Sequence, residues 1–515
     1  MVSDEDISAS DNEMGFMRYI LSKESKISKK IEKYNLERIL FIYTAILLLL
    51  LFTRCFNNNF WCDEAYTIRL LNYDFITMID EETRDMHPPL YHIIFYLSCK
   101  IFGSTPFVFH IVSYVPYLLA ILLTITVLKK RFGTNFSLIM VTFLSLLFSS
   151  FYFVQEVRMY EWGMFFILCS FISAITLMEK NRTRDYILVT IFLVLSAYTH
   201  YYCLLAAGAF YLCLFMWAIK TKEKKTIIKI VLSAVAAILM YLPWVIHFVS
   251  IFFTVTAQGN NVHKFQFITR YIISLFENGA VIFFVIILIV LILYLIRKYN
   301  IVEFEPNLEK KIDRIISFFR LEDTDWKWIS MGMVVIFITM IPPLVFSNII
   351  QPIIEPRYMY PVSAIAWFIV SFCASKCEAK NFATVAVIAV TLLFAIPLCT
   401  YTIIDDCIIE TEIKDTLSKT QPYVEEGDVI CASESTPIWT VLVYYYPNTT
   451  VKYLSDGDHI PQLDRDYYWL CIMTPMNDAM KKELEDQNYS YETMVENGNL
   501  GTYDTWFYKL TKQSI

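Results

Sequence analysis

Long apolar runs separated by short polar loops dominate the chain. Runs long enough to cross about 30 Å of hydrocarbon fall near residues 37–57, 106–128, 135–154, 160–178, 185–201, 202–219, 227–250, 271–296, 328–347, 358–375 and 381–402. Each predicts a spanning helix, about eleven in all. The run from Pro89 to Phe102 is shorter and fits a helix lying along the interface. Asn307–Phe319 sets Ile312, Ile315, Ile316 and Phe319 opposite Lys310, Lys311 and Arg314, the pattern of an interfacial amphipathic helix.

Charge then orients the spans. With the N-terminus in the cytoplasm, alternate loops carry Lys129-Lys130-Arg131, the Lys180–Arg184 stretch, Lys220–Lys229, residues 297–327 and Lys376–Lys380. All are basic, as cytoplasmic loops should be. Counting Pro89–Phe102 as a span would reverse every one of them. Residues 1–36 read as a retained cytoplasmic tail, since they are polar and precede the first apolar run at too great a distance for a signal peptide. Pro88-Pro89 and Pro342-Pro343 are expected to break helices beside a protein-lined cavity.

Beyond residue 402 the pattern changes. DVICAS, TPIWTVLVYYY, TVKYL, YYWLCIM, NDAMKKELEDQ, YETMV and TWFYKL alternate between strand and helix character. They predict a small extracytoplasmic α/β domain over 403–515, after a membrane domain over 37–402 whose first outer loop spans 58–105.

Composition fixes the class. At 56% hydrophobic residues and a mean hydropathy of +0.47, the 515-residue chain is an all-α polytopic membrane protein apart from that small domain. A net charge of −7, with no basic stretch built for a groove, argues against a nucleic-acid partner. Most of the twelve cysteines sit in apolar runs, as Cys169, Cys203 and Cys213 do, and behave as small hydrophobes. No metal-spaced cysteine cluster and no phosphate-binding glycine loop occurs.

Side chains capable of chemistry gather in the outer loops. These hold Asp63-Glu64, Asp85-Met86-His87, the Gln155–Tyr160 stretch, the Tyr198–Tyr202 stretch and Glu355-Pro356-Arg357-Tyr358. Polar groups at the bilayer boundary are costly unless paired or serving a cavity, so this concentration on one face predicts a functional site. The ordered series DE, HPPLY, RMY, THYY and PRYMYP resembles the GT-C glycosyltransferases that take sugar from a polyprenyl phosphate. The nearest pattern is that of the dolichyl-phosphate-mannose protein mannosyltransferase superfamily and its bacterial cell-envelope branches. The resemblance covers roughly residues 37–402, and implies a GT-C-type body, an inverting transfer and Asp63 as the base.

The residues suit that chemistry by themselves. A sugar on a polyprenyl monophosphate leaves as a phosphate monoester with a second pKa near ~6, so no strong general acid is needed. The reaction needs a base for the acceptor hydroxyl and fixed positive charge at the leaving phosphate. Asp63 is the candidate base and Glu64 its orienting neighbour. Arg158 and Arg357 would grip the phosphate with paired donors. Tyr160, His200, Tyr201 and Tyr358 would line the sugar pocket, and Asp85 and His87 would bind acceptor or, with Asp63, a divalent cation. The arginines could instead snorkel to lipid headgroups, and His87 and His200 could simply cap turns. Expected partners are the lipid-linked donor, a glycan, lipid or protein acceptor, and the bilayer. The expected location is the bacterial plasma membrane, with the endoplasmic reticulum as alternative. A lipid-linked glycan ligase or polymerase, or a lipid or sugar transporter, is the competing function; the apolar mid-span positions disfavour transport.

Overall fold

The computed structural model describes residues 19–30, 35–83, 87–257, 283–299, 301–302, 304–349, 355–432, 438–454, 459–461, 463 and 465–513. Among these, eight helices are long and apolar enough to cross a membrane: Leu36–Phe56, Pro106–Phe132, Tyr160–Lys180, Tyr201–Thr221, Lys224–Ser250, Asp323–Ser347, Arg357–Lys376 and Lys380–Thr420. The chain is an integral, multi-pass membrane protein. Two of the other three expected spans have a different form. Residues 135–154 fold as two helices, Thr134–Leu146 and Phe148–Phe153, with extended backbone at Leu147 between them. Thr134–Leu146 is buried on nearly every side, so it lies inside the bundle rather than against lipid. Residues 185–201 form the shorter helix Thr183–Ala197. The run 271–296 falls partly outside the described residues; 283–298 is helical.

Both short helices expected at the interface form, as Leu90–Phe102 and Pro306–Phe318. The two proline pairs behave differently. Pro89 caps the Leu90–Phe102 helix, with the chain leaving helical geometry before it. Pro342-Pro343, expected as a break, instead lies inside the continuous helix Asp323–Ile349. Each proline removes one backbone hydrogen bond, and packing between membrane helices holds the helix together across the gap.

The Tyr160–Lys180 and Tyr360–Lys376 helices form the centre of the bundle. They approach closely at Gly163, where a Cβ would lie 3.0 Å from the Pro361 ring. Two residues before Gly163, the Tyr360 hydroxyl donates to the carboxylate of Glu161, both groups being buried.

Among the described residues the α/β domain has five strands: β1 Val429–Ala432, β2 Thr450–Tyr453, β3 Tyr467–Ile472, β4 Tyr489–Leu500 and β5 Tyr503–Lys512. Their order is β2-β1-β3-β5-β4, with β2, β1 and β3 parallel and β5 antiparallel to both neighbours. TPIWTVLVYYY supplies the helix Ile438–Tyr445 and NDAMKKELEDQ the helix Asp478–Asp486. The expected boundary at 402/403 falls within the single helix Lys380–Thr420, whose far end packs on the sheet: the Asn499 amide donates to Thr416 Oγ1 at 2.9 Å. At its start the same helix is capped by the N-terminal tail, where Glu24 Oε2 accepts from Phe382 N at 2.7 Å.

Candidate active site

Asp63 and Glu64 occupy the first turn of the helix Cys62–Arg69, where negative side chains suit the unpaired backbone N–H groups. The two acids have different roles. Asp63 Oδ2 pairs with Arg357 Nη1 at 3.2 Å, and both side chains are about one-quarter exposed, at 25% and 28%. Glu64 turns inward. Its Oε2 accepts from the Trp61 amide at 3.2 Å, the return half of a capping box, and its Oε1 accepts from the Val157 amide at 2.8 Å. Glu64 therefore fastens the helix start to the 154–159 loop rather than touching the Asp63 carboxyl. Burial, and after it the neighbouring carboxyl of Glu156, push the Glu64 pKa upward against those two backbone donors.

That loop carries two more charged groups. Arg158 is buried, and its Nη1 donates to the Asp63 carbonyl and to Thr67 Oγ1, each at 3.2 Å. It braces the Asp63 helix from below, and its Nη2 lies 3.4 Å from His87 Nδ1. Glu156 accepts from Trp61 Nε1 at 3.1 Å through Oε1. Burial raises the Glu156 pKa to about 8, although Arg357 and Arg158 pull it down. Arg357 also stacks over the Trp61 ring at 5.0 Å. Among the described residues, the buried Glu156 Oε2, Tyr160 hydroxyl and Arg357 Nε have no hydrogen-bond partner. Arg357, Arg158 and Glu156 are all within electrostatic reach of that hydroxyl. A site with an unsatisfied guanidinium nitrogen and two further unsatisfied polar atoms is suited to a polar ligand.

Aromatic rings wall the site. His200, Tyr202 and His87 surround Tyr358, with ring centres 4.8, 5.4 and 6.1 Å away, and Tyr160 lies 6.1 Å from His200. His200 caps the helix Tyr201–Thr221, its Nδ1 accepting from Tyr202 N at 3.1 Å. This leaves the proton of a neutral ring on Nε2. The HPPLY and THYY elements meet directly, the His87 and His200 rings lying 5.4 Å apart, and Leu90 N donates to the carbonyl of Tyr198 just before THYY at 3.1 Å.

The structure thus gathers Asp63, Glu64, His87, Arg158, Tyr160, His200, Arg357 and Tyr358. Tyr201 stands apart: its hydroxyl accepts from Trp244 Nε1 at 3.3 Å in a separate aromatic cluster with Tyr198 and Tyr241. Asp85 lies outside the described residues, and with it the cation set Asp63, Asp85 and His87. Among the described residues, no group of three or more His, Cys, Asp or Glu side chains could hold a metal ion.

Trp61, Thr67, Tyr202 and Glu156 belong to the site but do not stand out in sequence, although Glu156 was visible as an acid two places before Arg158. A further buried pair, His92 Nδ1 and Glu82 Oε2 at 2.5 Å, lies behind Thr67, whose Oγ1 is 3.5 Å from His92 Nε2.

No protein-family model matches the chain, and no curated protein matches it by sequence. Solved structures do. ArnT from Cupriavidus metallidurans in the apo state matches with a TM-score of 0.60 at 10% identity, over 91% of this chain and 97% of that one. The structure of the same protein bound to undecaprenyl phosphate matches with a TM-score of 0.59 at 9% identity and the same coverage. At such identity the likeness concerns architecture. The chain has the fold of ArnT.

Proposed function

We propose that this protein is a membrane glycosyltransferase that moves a sugar from a polyprenyl phosphate to a hydroxyl of a cell-envelope glycan, lipid or protein at the outer face. The observation that carries the reading is the Asp63–Arg357 pair, which sets a carboxylate beside a guanidinium at the rim of an otherwise buried site. Two loops almost three hundred residues apart in sequence supply the two groups, as a reaction that needs both a base and a phosphate anchor requires. The neighbour with undecaprenyl phosphate bound is consistent with a lipid-phosphate donor.

In the reaction, Asp63 takes the proton of the acceptor hydroxyl as its oxygen attacks the anomeric carbon. The bond from that carbon to the phosphate oxygen breaks, and the lipid phosphate departs with its added charge facing Arg357. Attack from the side opposite the leaving group inverts the centre. Before donor binds, Arg357 is paired with Asp63; a phosphate that draws the guanidinium to itself frees the carboxylate to act as base. Arg158 acts beneath them by holding the Asp63 carbonyl. The unsatisfied Glu156 Oε2 and Tyr160 hydroxyl are the groups that sugar hydroxyls would satisfy.

The test supplies radiolabelled polyprenyl-phosphate sugars to membranes containing wild type or Arg357→Gln at matched protein levels. Label that moves from lipid to acceptor with wild type, and stays on lipid with the variant, is the expected result. Movement that does not depend on the protein, or that survives Arg357→Gln intact, rejects the reading.

A further inference from the structure

We infer that the C-terminal domain is a positioning element of the active site: Gly501 and Tyr503, with the Ile438–Tyr445 helix, hold the start of the helix that carries Asp63. This rests on the transferase reading of Asp63 and assigns a task to a domain which that reading leaves unused.

The two parts share a core. Ala65, on the Asp63 helix, is buried in one apolar cluster with Ile430, Ile438, Val441 and Phe507. At one end of that helix Phe60 meets Tyr444 edge-on at 5.0 Å, and at the other Arg69 lies over the Trp439 ring at 5.0 Å. The closest approach is at the β4–β5 turn. Gly501 has a φ of +60°, and a Cβ there would lie 2.4 Å from the Phe60 carbonyl oxygen and 2.8 Å from a Val441 methyl. Phe60 cannot retreat freely, because its other face stacks on His110 at 5.0 Å.

Polar contacts add direction. Cys62 is the first residue of the helix, and its N–H has no partner within it. The Tyr503 hydroxyl faces that N–H and the Cys62 thiol, and Thr440 faces the thiol as well. Tyr503, which packs against the cluster that holds Ala65, thus brings a polar group of the other domain to the helix start, one residue before Asp63. A shift of about 1 Å in a catalytic group can cost ~100-fold in rate, so these contacts bear on turnover.

The experiment compares full-length wild type with Gly501→Ala, Tyr503→Phe and Gly427→Ala. Gly427 is a control in the same domain: its φ is +86°, yet a Cβ there meets nothing within 4 Å. Read out are kcat, KM for the donor, the unfolding midpoint, and alkylation of Cys62 by a charged maleimide followed by peptide mass spectrometry. Gly501→Ala should lower kcat by about tenfold or more, leave KM for the donor within about twofold, and speed alkylation of Cys62. Tyr503→Phe should move the same readouts in the same direction by about threefold, and decides the matter if Gly501→Ala does not fold. Gly427→Ala should keep wild-type kcat. Wild-type kcat in Tyr503→Phe and Gly501→Ala, or an equal loss in Gly427→Ala, overturns the positioning role. Absence of transfer by wild type from any donor rejects the transferase reading itself, and the positioning role falls with it.

Discussion

Replacing Asp63 by Asn separates catalysis from stability, because the structure assigns very different magnitudes to the two. The carboxylate pairs with Arg357 at 3.2 Å, but both side chains are about one-quarter exposed, and ion pairs in such settings contribute roughly 0.2–1 kcal/mol. The amide keeps one oxygen that can still accept from the guanidinium, so the folding cost should lie at the lower end of that range. Beyond the ion pair the helix loses only the charge in its first turn, worth about 0.3–1 kcal/mol, since Arg158 and Thr67 bond the Asp63 carbonyl rather than its side chain. Removing a general base costs ~10²–10⁴ in rate, which is about 3–5 kcal/mol on the barrier. Turnover should therefore fall by at least a hundredfold in protein that unfolds almost as wild type does. KM for the donor should not rise, because Arg357 is released from its carboxylate and becomes more available to phosphate. The assay follows transfer from a radiolabelled polyprenyl-phosphate sugar by purified protein in liposomes, with unfolding monitored on the same samples. Transfer within about threefold of wild type would remove Asp63 as the base. A loss that merely tracks the unfolded fraction would make it a structural acid.

Other perturbations address the surroundings. Glu156, with a pKa pushed up to about 8, binds a proton in the folded protein over a range in which the unfolded chain has lost it, so its contribution to stability declines as pH rises from about 4.5 to 8. Glu156→Gln should therefore unfold near the wild-type midpoint at about pH 4, and above it by a margin that grows as pH rises to about 8; a difference independent of pH would refute the assignment. Tyr360→Phe leaves the buried Glu161 without its donor and should cost ~1–3 kcal/mol in chemical denaturation; the double change with Glu161→Leu should recover part of the loss. Gly332→Ala brings a Cβ within 2.8–3.0 Å of Ile365, Ile369 and Phe171, and should cost ~1–3 kcal/mol, read as a lower unfolding midpoint with KM unchanged.

Much of the architecture was legible because lipid imposes simple rules. Length and apolarity identify spans, and loop charge groups the chemistry-bearing side chains at one end of the bundle. The C-terminal domain was readable from its short alternating segments. What escaped depends on rotation and on long-range contact. Tyr201 and Tyr202 are adjacent in sequence, but consecutive residues on a helix point about 100° apart, so one joins the Trp244 cluster and the other packs on Tyr358. Only the cap at His200 fixes which is which. Glu64 reads as a partner of Asp63 by adjacency, yet its position in the first turn points it at the Trp61 and Val157 amides. Pro342-Pro343 reads as a break because local propensity disfavours proline in helices, whereas packing within the bundle carries the helix through. The Glu82–His92 pair had no local signal, since its members are brought together by the fold of the first outer loop.

The helix Lys380–Thr420 is a strut rather than a tether. Its 41 residues, at ~1.5 Å each, extend about 60 Å, roughly twice the hydrocarbon thickness. Arg54, at the end of the first span, clasps it at Asp406 with a 3.0 Å ion pair. Because the helix runs unbroken from the membrane into its contact with β4 at Asn499, it sets the height of the domain and also its azimuth. The domain that packs on the Asp63 helix through Ala65 is thereby carried by the membrane bundle, so that its contact with the helix start is set from two directions, along the strut and across the shared core.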